Sequence, residues 1–130
     1  MKILRAYPPN FKAISEVFPV MGRPGILYAW GDKLYNPSGV KLTPWIEAHE
    51  QTHMDRQTDA EAWWAEYLIY PTFRLQEEIL AHQYEWGMFH SFYTSPTYLE
   101  KYLDMMAKRL SSPLYGNLIS YEEAKREITS

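Results

Sequence analysis

The sequence contains no cysteine, and this absence excludes several classes of protein. A disulfide scaffold, a cysteine-ligated zinc site and a catalytic thiol all require the missing side chain. Basic residues form no block and the net charge is −3, so a surface that tracks nucleic-acid phosphates is not expected. Any metal site must therefore use histidine and carboxylate ligands.

Long apolar runs are also lacking. No segment approaches the roughly 18 apolar residues that a membrane-spanning helix needs, so no membrane partner is expected. The first residues, Met-Lys-Ile-Leu-Arg, lack the apolar segment and small-residue cleavage site of a secretory signal. These two absences predict a cytoplasmic protein.

Aromatic side chains are abundant, at 16% of the 130 residues, with 11 Tyr and 5 Trp. The length fits one domain, residues 1–130. Hydrophobic residues make up 46% and charged residues 22%, which is typical of a globular chain with a real core. Aromatics supply both core packing and site walls, and composition does not separate the two.

The first third of the chain predicts a small β-region beside a short helix. Residues 2–7 suit a strand, and Asn10 suits the N-cap of a helix over Phe11–Phe18. Two β-prone runs flank a Gly-Asp turn in the segment 26–35, which predicts a hairpin. The free edge of such a hairpin is a possible binding site for an extended peptide; a hairpin that only covers the core is the alternative.

The rest of the chain predicts helices, so the fold class is α+β and mainly helical. Thr43-Pro44 predicts a helix start, and that helix should run to about Tyr67 before Pro71 breaks it. A second helix is expected from about 73 to 89, followed by a loop at 90–95. A third helix should start near Pro96, carry an apolar stripe and end at Ser111-Ser112-Pro113. A last helix should run from the Ser120 capping box to Ile128.

The motif that indicates chemistry is His49-Glu50-Gln51-Thr52-His53, an H-E-x-x-H sequence. Residues four apart on a helix point the same way, so both imidazoles can reach one ion. Glu50 lies beside that stripe, where its carboxylate can meet an activated water. The motif follows a well-formed helix start, which is the structural setting it needs.

The helical wheel places both histidines on the apolar side of the predicted helix, with Trp64 and Tyr67. The opposite face is polar and carries Glu47, Gln51, Asp55 and Thr58. Unpaired imidazoles on an inward face would cost roughly 1–3 kcal/mol each, and a shared ion removes that cost. Hydrogen bonds from the histidines to buried carboxylates are the alternative.

A catalytic zinc ion needs a third protein ligand and one open position. No third histidine follows His53 at metal-binding spacing, because Arg56 and Asp59 stand at the positions that the longer H-E-x-x-H-x-x-G-x-x-H motif would fill. The candidates therefore lie on the next helix, in the segment 75–82.

Residues 43–85 resemble the gluzincin branch of the zincin metallopeptidases, especially its minimal one-domain members. That resemblance implies Zn²⁺ as cofactor and a third ligand, Glu78, followed by Ala81 in an E-x-x-A pattern. Family members commonly place Asp next as a partner of a ligand histidine, whereas this chain has His82. Glu77 remains the alternative ligand from its position on the wheel.

A narrower similarity, over about residues 20–128, is to small H-E-x-x-H proteins of tailed bacteriophages. It rests on Gln57, Trp63-Trp64, Tyr67-Leu68 and Phe73-Arg74, together with the segment 110–117. If the chain is phage-encoded, the expected location becomes the host cytoplasm.

The resemblance implies hydrolysis of peptide bonds in a peptide or protein substrate, with Glu50 as the general base. A donor for the developing oxyanion is also implied. The candidates are Tyr67, Tyr70, Arg74, His82 and Tyr115. Core packing is the alternative for each Tyr.

Glu85 shares a helix stripe with Arg74, Glu78 and His82, and a solvent-exposed salt-bridge ladder is the expectation for it. The aromatics on the two helices are expected to pack around the site, Tyr84 among them. Two other functions remain: a metal-stabilised structural protein without turnover, and a protein that recognises peptide through the hairpin.

Overall fold

The computed structural model describes residues 1–130 and has the expected class, α+β and mainly helical. Three short strands form one sheet, six α-helices form the rest, and 3₁₀ turns occupy Pro19–Gly22 and Pro113–Tyr115. The strands are β1 (Lys2–Leu4), β2 (Tyr28–Trp30) and β3 (Lys33–Tyr35). The helices are α1 (Phe11–Val17), α2 (Pro44–Arg56), α3 (Ala60–Ile69), α4 (Pro71–Phe92), α5 (Pro96–Leu110) and α6 (Tyr121–Thr129).

The sheet has the order β1-β3-β2, with β1 parallel and β2 antiparallel to β3. The predicted hairpin is present, and Gly31 in its turn has a φ of 62°, a left-handed conformation that glycine adopts without strain. The predicted strand over residues 2–7 is too long. It ends at Leu4 because its partner there, Tyr35, is the last residue of β3.

The single long helix predicted from Pro44 to Tyr67 is wrong, because α2 ends at Arg56 and α3 begins at Ala60. The Asp59 side chain accepts a hydrogen bond from the Ala62 amide, so it caps a new helix. The Gln57 side chain bonds instead to the hairpin, at the Gly31 amide and the Ala29 carbonyl. These two polar side chains separate the helices.

Pro71 is predicted to break a helix, but in the structure it is the first residue of α4. Proline fits there because the first helical position needs no amide donor. The helix continues to Phe92, so the predicted loop at 90–95 is reduced to residues 93–95. The predictions for α5 and for α6, with Ser120 accepting a bond from the Glu123 amide, are confirmed.

The main core lies between α1, α3, α5 and α6 and is rich in aromatic side chains. Trp63, Trp64 and Tyr67 are buried within it, with the Trp63 and Tyr67 rings stacked at 4.9 Å. The apolar stripe of α5 contributes Met106 and Leu110, as its spacing predicts. The expectation for Tyr84 is wrong, because this ring is 60% exposed.

Helix α2 packs against both α4 and strand β2. The H-E-x-x-H segment therefore lies beside the stripe of α4 that carries Glu78, and the sheet also contacts α2. No helix in the structure combines the length and apolar character that a membrane crossing requires.

Candidate metal centre

His49 and His53 lie on the buried side of α2, as the wheel predicts, with exposures of 6% and 5%. The Thr43 side chain caps the helix by accepting from the Ile46 amide, and Pro44 is its first residue. The opposite face, which includes Glu47, Gln51 and Asp55, is exposed, whereas Thr58, which the wheel assigns to it, is exposed but lies beyond the end of α2. Helix geometry thus places the two imidazoles on one face, and packing of α2 against α4 and β2 buries that face.

The carboxylate of Glu78 lies against both imidazoles. His49 Nε2 is 3.4 Å from Oε1, and His53 Nε2 is 3.1 Å from Oε2. The Tyr67 hydroxyl donates to Oε2 at 2.7 Å, whereas the buried Oε1 has no hydrogen-bond partner. Burial would raise the pKa of Glu78, but His53 and His49 outweigh it and hold that pKa well below 4.5. Glu78 is therefore an anion that faces two imidazole nitrogens.

Glu85 fixes the orientation of His49. The His49 Nδ1–H donates to Glu85 Oε1 at 2.7 Å, which turns Nε2 toward Glu78. Burial would lower the pKa of His49, but the Glu78 and Glu85 carboxylates beside the ring raise it to about 10. The predicted exposed ladder is wrong, because Glu85 is fully buried. Its stripe on α4 faces α2 and α5 rather than solvent.

Two residues of α5 hold Glu85 in place. The Tyr102 hydroxyl donates to Oε2 at 2.5 Å, and Arg109 Nη2 donates to Oε1. Burial would raise the pKa of the Glu85 carboxyl, but His49 and Arg109 hold it far below 4.5. Glu85 is thus a charged carboxylate, and each of its two oxygens accepts at least one hydrogen bond.

His82 lies at the site, but both its ring nitrogens are in use. Nδ1 donates to the Glu78 carbonyl at 2.6 Å, and Nε2 accepts from Arg109 Nε at 3.1 Å. Burial, then Arg109 and His49, lower the pKa of His82 well below 6.5, so the ring is neutral. Ligand atoms of His49, Glu78 and His82 lie within 4.8 Å of one another, a group that does not include His53. Its hydrogen bonds make His82 a support of the site rather than a ligand.

Glu77, the alternative ligand, points away from the histidines. Its carboxylate accepts from Trp63 Nε1 at 2.7 Å and from Arg56 Nε at 2.8 and 3.0 Å. The Trp63 ring in turn packs against His53, with centroids 5.3 Å apart. Glu77 therefore fixes an aromatic wall of the site, and Glu78 is the carboxylate that meets both imidazoles.

A cavity of about 170 Å³ opens onto these residues, and Glu50 forms part of its wall. The Glu50 carboxylate makes no hydrogen bond and interacts with its neighbours only through charge. Burial raises the pKa of this carboxyl above 4.5. Glu78 and Glu85 also line the cavity, with Arg109 as the basic residue. In the metal-free protein three carboxylates thus face two positive charges, Arg109 and the protonated His49, and a metal ion that displaced the His49 proton would be attracted by the carboxylates.

The oxyanion candidates separate by position. Tyr67 and Tyr115 line the cavity, and burial raises the pKa of each well above 10, so both hydroxyls keep their protons at neutral pH. Tyr67 is committed to Glu78, whereas no hydrogen bond occupies the Tyr115 hydroxyl. Arg74 does not line the cavity; it donates to the main-chain carbonyls of Tyr115 and Tyr67 at 2.8 and 2.7 Å. Tyr70 is 58% exposed.

The hairpin edge is partly closed. The Ala29 carbonyl on β2 accepts from Gln57 Nε2 at 3.1 Å and from Trp64 Nε1 at 2.9 Å. An added peptide strand would need such groups free for pairing. The Gln57 and Trp64 side chains thus already occupy the Ala29 carbonyl, which recognition of a peptide through the hairpin edge would need free.

The donor set fits zinc. Two imidazole nitrogens and one carboxylate form the N/O set typical of a catalytic zinc site. Two buried polar atoms at this place, His53 Nδ1 and Glu78 Oε1, lack a hydrogen-bond partner. A cation beside Glu78 Oε1 would satisfy that oxygen, because a buried, unpaired carboxylate oxygen is costly.

Comparison of the chain with family models, with curated proteins and with solved structures finds no match. Three residues of the site were not predicted from the sequence: Glu85 as a partner of His49, and Tyr102 and Arg109 as partners of Glu85. The available signal was spacing, since Tyr102 and Arg109, like Glu78 and Glu85, are seven residues apart and share a helix face.

Proposed function

We propose that the protein is a zinc-dependent metallopeptidase with a minimal zincin-like domain. His49, His53 and Glu78 would hold the ion, as the gluzincin resemblance implies. The strongest support is the approach of both Nε2 atoms to one carboxylate, at 3.4 and 3.1 Å. These separations are close to the roughly 3.3 Å between neighbouring ligands that sit about 2.0–2.1 Å from a tetrahedral ion.

Zinc held by these residues would supply Lewis-acid chemistry: it would lower the pKa of water toward about 7 and polarise a peptide carbonyl. The Glu50 carboxylate takes a proton from the attacking water and delivers it to the leaving amine. Burial supports this exchange, because a raised carboxyl pKa makes the protonated form of Glu50 accessible. The Tyr115 hydroxyl faces the same cavity and donates to the developing oxyanion.

The wall of the cavity is mainly apolar, which suits a peptide or protein substrate with an apolar side chain near the cleaved bond. Ile26, Val40 and Leu114 are among its lining residues. We expect the enzyme to act in the cytoplasm, which is the host cytoplasm if a phage encodes it.

A second candidate is a metal-stabilised protein that does not turn over substrate. The burial of the site favours it, since His49, His53 and Glu78 are 6%, 5% and 3% exposed. The presence of Glu50 favours the enzyme, because a structural site needs no acid between its histidines. Activity measurements on the zinc-loaded protein separate the two.

The decisive test compares Glu50→Gln with Glu47→Gln in zinc-loaded protein. Both changes remove one carboxylate from α2, but Glu47 is exposed on the opposite face. Cleavage of a diverse peptide pool, followed by mass spectrometry, should fall about 10²–10⁴-fold for E50Q and stay unchanged for E47Q. Zinc content should be equal in all three proteins.

Two results would count against the enzyme. Wild-type cleavage that persists in E50Q removes the catalytic role of Glu50. Stoichiometric zinc with no cleavage of any pool peptide supports the structural alternative.

A further inference from the structure

Arg109, on α5, contacts two separate supports of the proposed zinc site. We propose that it is a positioning residue, which orients His49 through Glu85 and fixes the main chain at Glu78 through His82. This inference rests on the proposed function, because it concerns the residues that would hold zinc.

The first connection runs from Arg109 to the His49 ring. Arg109 Nη2 donates to Glu85 Oε1, the same oxygen that accepts the His49 Nδ1–H at 2.7 Å. Glu85 is fully buried, so without the guanidinium its charge would lack a permanent counter-ion. Arg109 thereby holds the Glu85 carboxylate in place and keeps His49 turned with Nε2 toward the proposed ion.

The second connection runs from Arg109 to Glu78. Arg109 Nε donates to His82 Nε2 at 3.1 Å, which leaves the proton of that ring on Nδ1. His82 Nδ1–H then donates to the Glu78 carbonyl at 2.6 Å. The arginine thus selects the tautomer of His82 that supports the helix turn bearing Glu78.

Only a forked side chain makes both contacts at once. The planar guanidinium directs Nε to one acceptor and Nη2 to another, whereas a lysine offers a single ammonium group. The arrangement also explains why a histidine, His82, can stand where gluzincins commonly have Asp. Here the acid that orients the ligand histidine is Glu85, and Arg109 joins it to His82.

The test uses full-length protein with Arg109→Ala, Arg109→Lys and a control, Lys108→Ala. Lys108 is the neighbouring cation on α5, but its side chain is 70% exposed and pairs with Asp104. Zinc affinity is measured by chelator competition, and ligand geometry by the visible spectrum of the Co²⁺-substituted protein. Urea unfolding of the metal-free protein measures stability separately.

We expect R109A to weaken zinc binding by about 10–100-fold and to change the Co²⁺ spectrum, because Glu85 and His82, which bond the proposed ligand residues, would lose their own support, and loss of such partners has an effect of this size. K108A should leave both unchanged. R109K should behave like R109A although it keeps the charge, and it serves as the main variant if R109A does not fold. Millimolar guanidinium should partly restore the Co²⁺ spectrum of R109A.

Unchanged zinc affinity and Co²⁺ spectrum in R109A or R109K would overturn the inference, even if the urea midpoint falls, because that pattern assigns only a structural role. Failure of the proposed function is a different result: wild-type protein that binds no zinc, or that binds it equally well after His49→Ala.

Discussion

In the proposed zinc site a proton would compete with the ion for His49, so zinc binding should strengthen as the pH rises. The pKa of this imidazole is raised to about 10, because its contacts with the Glu78 and Glu85 carboxylates outweigh the effect of burial. A protonated imidazole has no lone pair for a metal. At neutral pH, zinc must therefore displace the proton on Nε2.

The size of the competition follows from the pKa. At pH 7 a group with a pKa of about 10 is unprotonated in only about one molecule in 1,000, which corresponds to roughly 4 kcal/mol of lost binding free energy. Affinity should rise about tenfold per pH unit up to pH 9, with about one proton released per ion bound.

Isothermal titration calorimetry in buffers of different ionisation enthalpy counts the released protons, and a zinc-chelating buffer sets the free metal concentration. Glu85→Gln should flatten the pH dependence, because it removes one of the two acids that stabilise the charged imidazole. His90→Gln is the control, since His90 is exposed and remote from the site ligands. Zero proton release with a flat affinity between pH 7 and 9 would refute a charged His49 in the metal-free protein.

Three further predictions follow from the site. Glu78→Ala should abolish stoichiometric zinc by elemental analysis, whereas Glu77→Ala should keep zinc and lower the urea midpoint, because Glu77 bonds Arg56 and Trp63. Tyr115→Phe should lower kcat by about 10²–10³-fold with unchanged zinc content, as expected for loss of an oxyanion donor. The metal-free protein should lose thermal stability as the pH rises from about 6.5 to 10, because the pKa of His49 is raised from 6.5 to about 10.

Each of these predictions has an opposite outcome that contradicts it. Zinc retained in E78A and lost in E77A would exchange their assigned roles. A Y115F enzyme with normal kcat would leave the oxyanion donor to another group. A flat or rising melting temperature between pH 6.5 and 10 would conflict with the ion pairs of His49, whose stabilisation is complete below pH 6.5 and lost through pH 10.

Local signals in the sequence determined the elements and the faces of the helices. Thr43-Pro44 and Ser120 mark helix starts through capping, and the i, i+4 spacing of His49 and His53 places both rings on one face. The helix break at residues 57–59 was missed, because it depends on Gln57 bonding to a hairpin about 26 residues away along the chain.

The partners of the histidines were decided by tertiary structure. Sequence spacing puts Glu78, His82 and Glu85 on one side of α4, but it does not say whether that side meets water or another helix. Packing of α4 against α2 and α5 buries this stripe, so Glu85 becomes the acceptor for His49 and the anchor for Arg109 and Tyr102. The sequence by itself determined which side chains share a helix face, because helix geometry is local. Which faces meet depends on long-range packing, and that packing decided that Glu78 rather than Glu77 contacts both imidazoles.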